Sequence, residues 1–511
     1  MMAFPMSHKT VFLLDQSSVF AQPCEEIEIE SNKSTSGQQA GFLPVSKIGK
    51  SIWSSATESV LEYCRIVWDI FPPACEDWNE HRLIRIVNFN EKDTKKIISA
   101  WDRKHQSSVS LANELATSGR PQLTSNKFGS ASKAKEKLRS GIKTALELLT
   151  ENSEAQEKVK GMDSTMVVNR GRIVCLTYTE DLKSFIEEFG SLVQKELTEV
   201  NSNAAGQSNL SSIGQLDINV ICCYSLMNSA PKPPEEIMIE VSPTVNCIYS
   251  MCSGGNALSK KLLELALTHF DLASTTVTGI PMKEEQNASS SANYDVELFH
   301  KASAHWRLLS DSHHNDDNNL KNEDLSNWMP QTQKEGFRYK TITLKWCTPR
   351  GSSADLHHCT ALARVTPTDV NSRPSSCLTN FLLSGRSVML EMQMPRKSGA
   401  KILSHMLTSH GGEIFIHTLN ISRSVLEDPP SISEGPGGRV TDYRIPDFGN
   451  LMKSNRMAPY YGDVKAKETQ PIEKMRDRLA RHTKLSPMII SATTIFNMEV
   501  LEPLQHIIVQ V

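Results

Sequence analysis

Residues 10–14 read TVFLL and run straight into Asp15, which is followed by Gln16, Ser17, Ser18 and Val19. A short run that is apolar on both alternating faces fits a strand covered on both sides, as in the middle of a parallel sheet. Outward from it the chain alternates between two periods. Ala56, Val60, Cys64, Val67 and Phe71 recur at helical spacing and stop at Pro72 and Pro73, which cannot continue a helix. Leu83–Phe89 (LIRIVNF) is a second strand. Residues 125–132 are a polar linker, and 134–149 a helix with Leu138, Ile142, Ala145 and Leu149 on one face. A third strand covers 172–178, a helix 182–200, a fourth strand 217–226, a fifth 247–251 and a closing helix 257–270. This order predicts a doubly wound α/β domain over 1–271, with right-handed crossovers and a parallel sheet.

Beyond Asp271 the texture changes. Residues 275–278, 339–346, 361–365, 388–392 and 413–419 are short β-rich pieces, separated by turn-like clusters at 348–353, 371–376 and 384–386. The spacing predicts an antiparallel β-barrel or sandwich over 272–428. The polar, acidic stretch 313–322 is expected to be an exposed loop. Residues 429–511 start with the linker PPSISEGPGG and read as a mixed, partly helical C-terminal part with a basic helix over 472–485. The chain stops inside an apolar run at 507–511, which reads as a truncation.

The 511 residues carry 55 Lys and Arg against 58 Asp and Glu. A net charge of −3 gives no chain-wide pull toward nucleic acid or membrane, so any such contact needs a local patch. No run reaches the eighteen or so apolar residues of a membrane helix, and Met1–Thr10 lacks the form of a secretory signal. The 11 cysteines form no CxxC pair and no zinc-type spacing with His. They read as reduced thiols of a nuclear or cytoplasmic protein.

Several clusters could carry chemistry. Asp15 and Ser17, at the carboxyl end of the first strand, follow the pattern DxSxS that supplies hard oxygen ligands to a divalent cation. Val19 occupies the third position and offers no ligand. The site is thus expected to be degenerate, with Asp15 and Ser17 hydrogen-bonding the loop backbone and no metal held. Thr144 and Asp181 lie where such a site takes its other ligands. His357, His358 and Cys359 are adjacent, which places them on opposite faces of a strand. His410-Gly-Gly-Glu413 reads as a turn with a solvated histidine. The glycines at 435–438 lack the strand and the sixth-position glycine of a dinucleotide loop, and no GxSxG, HExxH or Cys–His nucleophile pattern occurs. The reading is a protein without catalytic residues or cofactor. Basic residues gather at Arg386, Arg396, Lys397 and Lys401, and again at Lys474, Arg476, Arg478, Arg481 and Lys484. The first cluster is the candidate for nucleic-acid phosphates. The second is equally explained as a solvated helix face.

Long segments of unusual sequence identify a family. They are HFDLASTTVTGIPMKEEQNASSSANYDVELFH at 269–300, TITLKWCTPR at 341–350, PTDVNSRPSSCLTNFLLSGRSVML at 367–390, PRKSGAKILSHMLTSHGGEIFIH at 395–417 and LEDPPSISEGPGGRVTDYR at 426–444. SHKTVFLLD, SIWSSATESVLEYCRIVWDIFP and NRGRIVCLT, nearer the start, belong with them. These segments resemble the asunder family, the family of Integrator complex subunit 13, from Ser7 to Val509. The resemblance implies a von Willebrand A-like domain, then a β-barrel, then a helical part. It implies a scaffold that pairs with Integrator subunit 14, is joined by subunit 10, and acts in small nuclear RNA processing and transcript attenuation. It also implies a mitotic role in holding dynein at the nuclear envelope, contact with RNA or DNA, and a location in nucleus and cytoplasm, with no membrane insertion. The family continues past the point matching Val511, into a tail that implies contact with the cleavage module and nuclear import. On this chain that contact is therefore in doubt. Residues 273–280, 341–348 and 388–390 are the expected partner-facing or barrel-closing strands, and an obligate interface there would bury about 2,000 Å² or more.

Overall fold

The computed structural model describes residues 9–28, 47–73, 81–90, 94–96, 101–102, 105–121, 131–162, 169–227, 236–284, 287–304, 332–333, 339–347, 359–392 and 402–419. The C-terminal part expected over 429–511, with its basic helix, lies outside them, as do the loop 313–322 and residues 125–130 of the linker expected over 125–132, whose last two residues instead begin a helix.

The first unit is built on β1 (Lys9–Asp15), whose seven residues are all buried. A hairpin of β2 (Pro23–Glu28) and β3 (Lys47–Ser51) leads into α1 (Ile52–Ile70). Ser51 caps that helix by accepting from Ser54 N at 3.1 Å, which satisfies one of the orphan donors of the first turn. Next come β4 (Leu83–Phe89), β5 (Thr94–Lys96), α2 (Ser108–Ser118), α3 (Ala131–Thr150), α4 (Glu154–Met162), β6 (Arg170–Thr177), α5 (Leu182–Ala204), β7 (Gln215–Tyr224), β8 (Glu236–Ser242), β9 (Val245–Ser253) and α6 (Asn256–His269). The sheet order is β5-β4-β1-β6-β7-β9-β8. β4, β1, β6, β7 and β9 run parallel. The two edges, β5 and β8, are antiparallel, so the expected all-parallel sheet holds only in its middle. Hairpins reach an edge strand with a short turn, whereas a parallel neighbour needs a crossover.

Alternation along β1 feeds two cores. Phe12 and Leu14 pack with α1, α2 and α6 on one face. Val11 and Leu13 pack with α3 and α5 on the other. Strands covered on both faces are continuous apolar runs, which is why they are the legible part of the sequence.

The second unit is a closed barrel. Its elements are β10 (Leu272–Glu284), β11 (Asn287–Lys301), β12 (Thr332–Gln333), β13 (Lys340–Cys347), β14 (Cys359–Pro367), α7 (Arg373–Leu383), β15 (Val388–Met392), β16 (Ile402–His410) and β17 (Glu413–Leu419). Neighbours run β10-β11-β14-β17-β16-β15-β13, with β12 added outside β13. Pairing of β10 with β13 closes the ring, and that pairing is parallel, Ser274–Thr278 against Thr341–Lys345. The antiparallel barrel expected from sequence is thus antiparallel in every pairing of the ring but one. Closure leaves the ring no free edges. Of the two roles expected for 273–280, 341–348 and 388–390, the pairings give them closure.

Val277, Leu298, Leu344, Leu390, Leu407 and Ile416 fill the barrel interior, and Leu378 and Leu382 of α7 plug it. The turn-like cluster expected at 371–376 is the start of this helix. Ser372 caps it by accepting from Ser375 N, and a proline sits in the first turn.

The two units share apolar packing. Leu272, Phe299 and Tyr339 of the barrel belong to the same core as α1 and α6. Arg65 of α1, only 1% exposed, donates to Asp69 and to Thr366 Oγ1 through Nη1, and to Glu62 and the Pro367 carbonyl through Nη2. Thr366 in turn donates to Asp69 at 2.8 Å.

Candidate functional site

The carboxyl end of the central sheet is the natural place for a ligand in an open α/β fold. There Asp15 Oδ1 accepts from Ser17 N at 2.9 Å, and Oδ2 accepts from Thr177 Oγ1 at 3.2 Å. Burial pushes the Asp15 carboxyl above the usual carboxylate range, partly offset by the Ser17 and Thr177 hydrogen bonds. Ser17 precedes a short 3₁₀ turn, Ser18–Ala21, that buries Val19 and Phe20. Asp181 caps α5 by accepting from Lys183 N, and Thr144 lies on α3. Both carboxylate oxygens of Asp15 are thus engaged by loop and neighbouring strand, and the residue that could complete a cation site is an inward-facing valine. This donor set does not fit a divalent ion. Among the described residues no three His, Cys, Asp or Glu side chains gather as a metal would require.

The barrel surface carries the other candidates. Arg386 is exposed in the turn after α7, and its guanidinium lies 5.9 Å from the ring of Phe381. Phe381, 38% exposed, sits 5.9 Å from Trp346 of β13. A cation over an exposed aromatic ring presents both charge and a flat apolar face. Arg396, Lys397 and Lys401 lie outside the described residues, so Arg386 is the member of the basic cluster whose surroundings are known.

His410 and Glu413 stand opposite one another where β16 turns into β17. Glu413 accepts from Arg364 at 2.8 Å, and His410 hydrogen-bonds Thr408. His357 and His358 lie outside the described residues. Cys359 instead meets His417, Sγ to Nδ1 at 3.2 Å, and His417 Nε2 meets Thr408 at 2.7 Å. Burial raises the Cys359 thiol. It lowers the His417 imidazole, helped by the neighbouring His410. Neutral thiol beside neutral imidazole is the resting pair, not the thiolate a nucleophile requires. Sequence reading missed this contact because the partners lie 58 residues apart, on strands whose pairing spacing does not reveal.

A buried cation supports the opposite end of the first sheet. Lys9 Nζ donates to the Leu149 and Glu151 carbonyls at 2.6 and 2.9 Å, at the C-terminus of α3, where carbonyls lack helical partners. Trp101 lies alongside, its ring 5.7 Å from Nζ. Burial lowers the Lys9 ammonium to about 7, against an opposing pull from Glu151. His269 joins Tyr63 and Asn219 beneath the first core. Burial, with Arg172 beside it, holds its imidazole well below its ordinary value.

Comparison with known proteins follows the same extent. A family model described as the cell cycle and development regulator Mat89Bb matches residues 4–511. The chain is 42% identical over its whole length to Integrator complex subunit 13 of Mus musculus and covers 66% of that protein. It is 41% identical to the Homo sapiens protein of the same name, covering 68% of it. Against protein asunder of Drosophila willistoni the identity is 40% over 97% of this chain, covering 68% of the fly protein. The chain therefore spans about two thirds of the length of these relatives. Agreement along the entire chain, from the first sheet through the barrel, places it in the family of Integrator complex subunit 13 and asunder.

Proposed function

We propose that the chain is a non-catalytic scaffold subunit that brings other proteins together in an Integrator-type complex. The observation that carries this reading is an α/β sheet and a closed barrel fastened through a shared core and the buried Arg65–Asp69–Thr366 network, in a chain related throughout to Integrator subunit 13. Such a body presents broad surfaces in fixed relation. Among the described candidates, Asp15 and Glu413 are engaged in structural hydrogen bonds of their own. The sheet order, with helices on both faces and an antiparallel strand beside β4, supports a von Willebrand A-like assignment for 1–271, and on this reading the barrel domain covers 272–428 and a further C-terminal part 429–511. The partners on this reading are Integrator subunits 14 and 10, in small nuclear RNA 3′-end processing and transcription control. A mitotic role that includes dynein at the nuclear envelope and a nuclear and cytoplasmic location belong to the same proposal.

The test is affinity capture of the 511-residue chain from nuclear extract, followed by mass spectrometry. Recovery of subunits 14 and 10 is the expected outcome. Capture of neither overturns the scaffold assignment.

A second reading is nucleic-acid binding on the barrel. It rests on Arg386 over the exposed Phe381 ring beside Trp346, since aromatic faces stack bases and guanidinium groups meet phosphates. Arg396, Lys397 and Lys401 would extend that charge. Steep loss of RNA binding with added salt separates this role from an apolar protein interface.

A further inference from the structure

We propose that the open edge of β8 accepts an added β-strand from a protein partner bearing basic residues on either side of an apolar one. Unlike the barrel, the first sheet has ends, and β8 terminates one of them among the described residues. Its sequence, EIMIEVS, contains neither the prolines nor the lysines with which natural edge strands refuse pairing. Its side chains divide cleanly. Ile237, Ile239 and Val241 pack on the core beneath α5. Glu236, Met238 and Glu240 point to the opposite face and are exposed. Met238 is 71% exposed, the largest value among the exposed large apolar side chains of the described residues. Behind it stands Ile248 of β9, its cross-strand partner.

The charges decide who can bind. An antiparallel pair of two copies centred on Met238 would set each Glu236 against the other copy's Glu240. Like charges directly opposite one another destabilise a ladder. Lys261 of α6 already reaches Glu236 and tempers that repulsion without reversing it. A foreign strand with Lys or Arg opposite Glu240 and Glu236, and an aliphatic residue opposite Met238, gains ion pairs and apolar cover together with the main-chain hydrogen bonds of the edge. Strand addition of this kind draws affinity from the backbone and selectivity from alternate side chains. The edge offers this pairing whichever complex the chain enters.

The experiment uses the full chain and two fluorescein-labelled peptides, TKVLVKT and TEVLVET. Anisotropy reads binding, and hydrogen exchange reads the amides of 236–242. The expected result is that the lysine peptide binds, slows exchange in 236–242 and weakens with salt, while the glutamate peptide does not bind. Glu240→Lys should weaken the lysine peptide by about tenfold, the effect of roughly one favourable pair replaced by an unfavourable one. Met238→Ser should weaken both peptides. Both substitutions lie on an exposed face, so the fold tolerates them. Equal binding of the two peptides, or binding without protection of 236–242, overturns the proposal. So does no binding at all. Self-association in sedimentation that Met238→Ser abolishes would overturn it too, since the occupant would then be a second copy.

Discussion

Arg65 Nη1 lies 2.6 Å from Thr366 Oγ1, although 301 residues separate the two. This contact and the Pro367 carbonyl at 3.1 Å tie the first helix to the fourth long strand of the barrel. Asp69 completes a triangle by accepting from both Arg65 and Thr366. Arg65→Leu takes from buried Asp69 the guanidinium that it meets at 3.0 Å, and breaking a buried pair from one side costs about 3–5 kcal/mol. Thr366→Val removes one neutral partner and should cost about 1–2 kcal/mol. Urea unfolding checks both. The arginine variant should also split a single transition into two, reporting separately on sheet and barrel.

Asp15 predicts a pH effect of unusual sign. Its carboxyl is held above the ordinary range by burial, so the fold favours the protonated form. Stability from this group is complete below the unfolded-state value and is lost as pH rises through the folded one. Asp15→Asn, which keeps an acceptor for Ser17 N, should therefore be neutral or stabilising at pH 7. The gap should close as the pH is lowered. Thermal unfolding across that range, with and without magnesium, checks it, and magnesium should shift neither protein.

Lys9 titrates in the opposite sense. Its ammonium is lowered to about 7 by burial, against an ordinary lysine value near 10.5. Between these limits the unfolded chain binds the extra proton, so stability rises with pH, at most by about 1.4 kcal/mol per unit. Lys9→Met should flatten this slope and lose the tether to the α3 terminus. Unfolding measured at several pH values between neutral and mildly alkaline distinguishes the two proteins.

Phe381 and Arg386 separate the RNA-binding reading from the scaffold reading. If the barrel surface binds RNA, Phe381→Ala should cost about 1–3 kcal/mol of single-strand affinity. Arg386→Glu should reduce the salt slope by about one. Electrophoretic titration at graded salt measures both, while capture of protein partners should be unaffected.

How much of this could be read from the chain depended on burial. β4, β15 and β17 have the bounds that their apolar runs predicted, Leu83–Phe89, Val388–Met392 and Glu413–Leu419. β11 escaped because its first half is NASSSANYD, polar and strand-poor, held by its hairpin with β10. β16 escaped because two of its buried positions are Ser404 and His405, whose hydroxyl and Nδ1 meet at 2.7 Å, so that the run imitates a polar loop. α7 was concealed by its own cap, since Ser372 and a following proline read as a turn until the helix behind them is known. That position 19 offers no oxygen ligand, and that Asp15 hydrogen-bonds its own loop at Ser17 N, was legible from the sequence of the Asp15 loop. Its engagement by Thr177 was not, because that depends on β1 and β6 lying side by side.

The shared core has a consequence for synthesis. Leu272, Phe299 and Tyr339 complete apolar packing that α1 and α6 begin, and Thr366 closes on Arg65 later still. A nascent chain that has released only the sheet-forming residues therefore carries an unfinished hydrophobic face and a buried-type arginine with half its partners. Domains commonly fold in order from the ribosome. Here the first unit waits for the second, so the interval in which about a hundred further residues emerge, at roughly 5–20 residues per second, is when this protein most needs a chaperone.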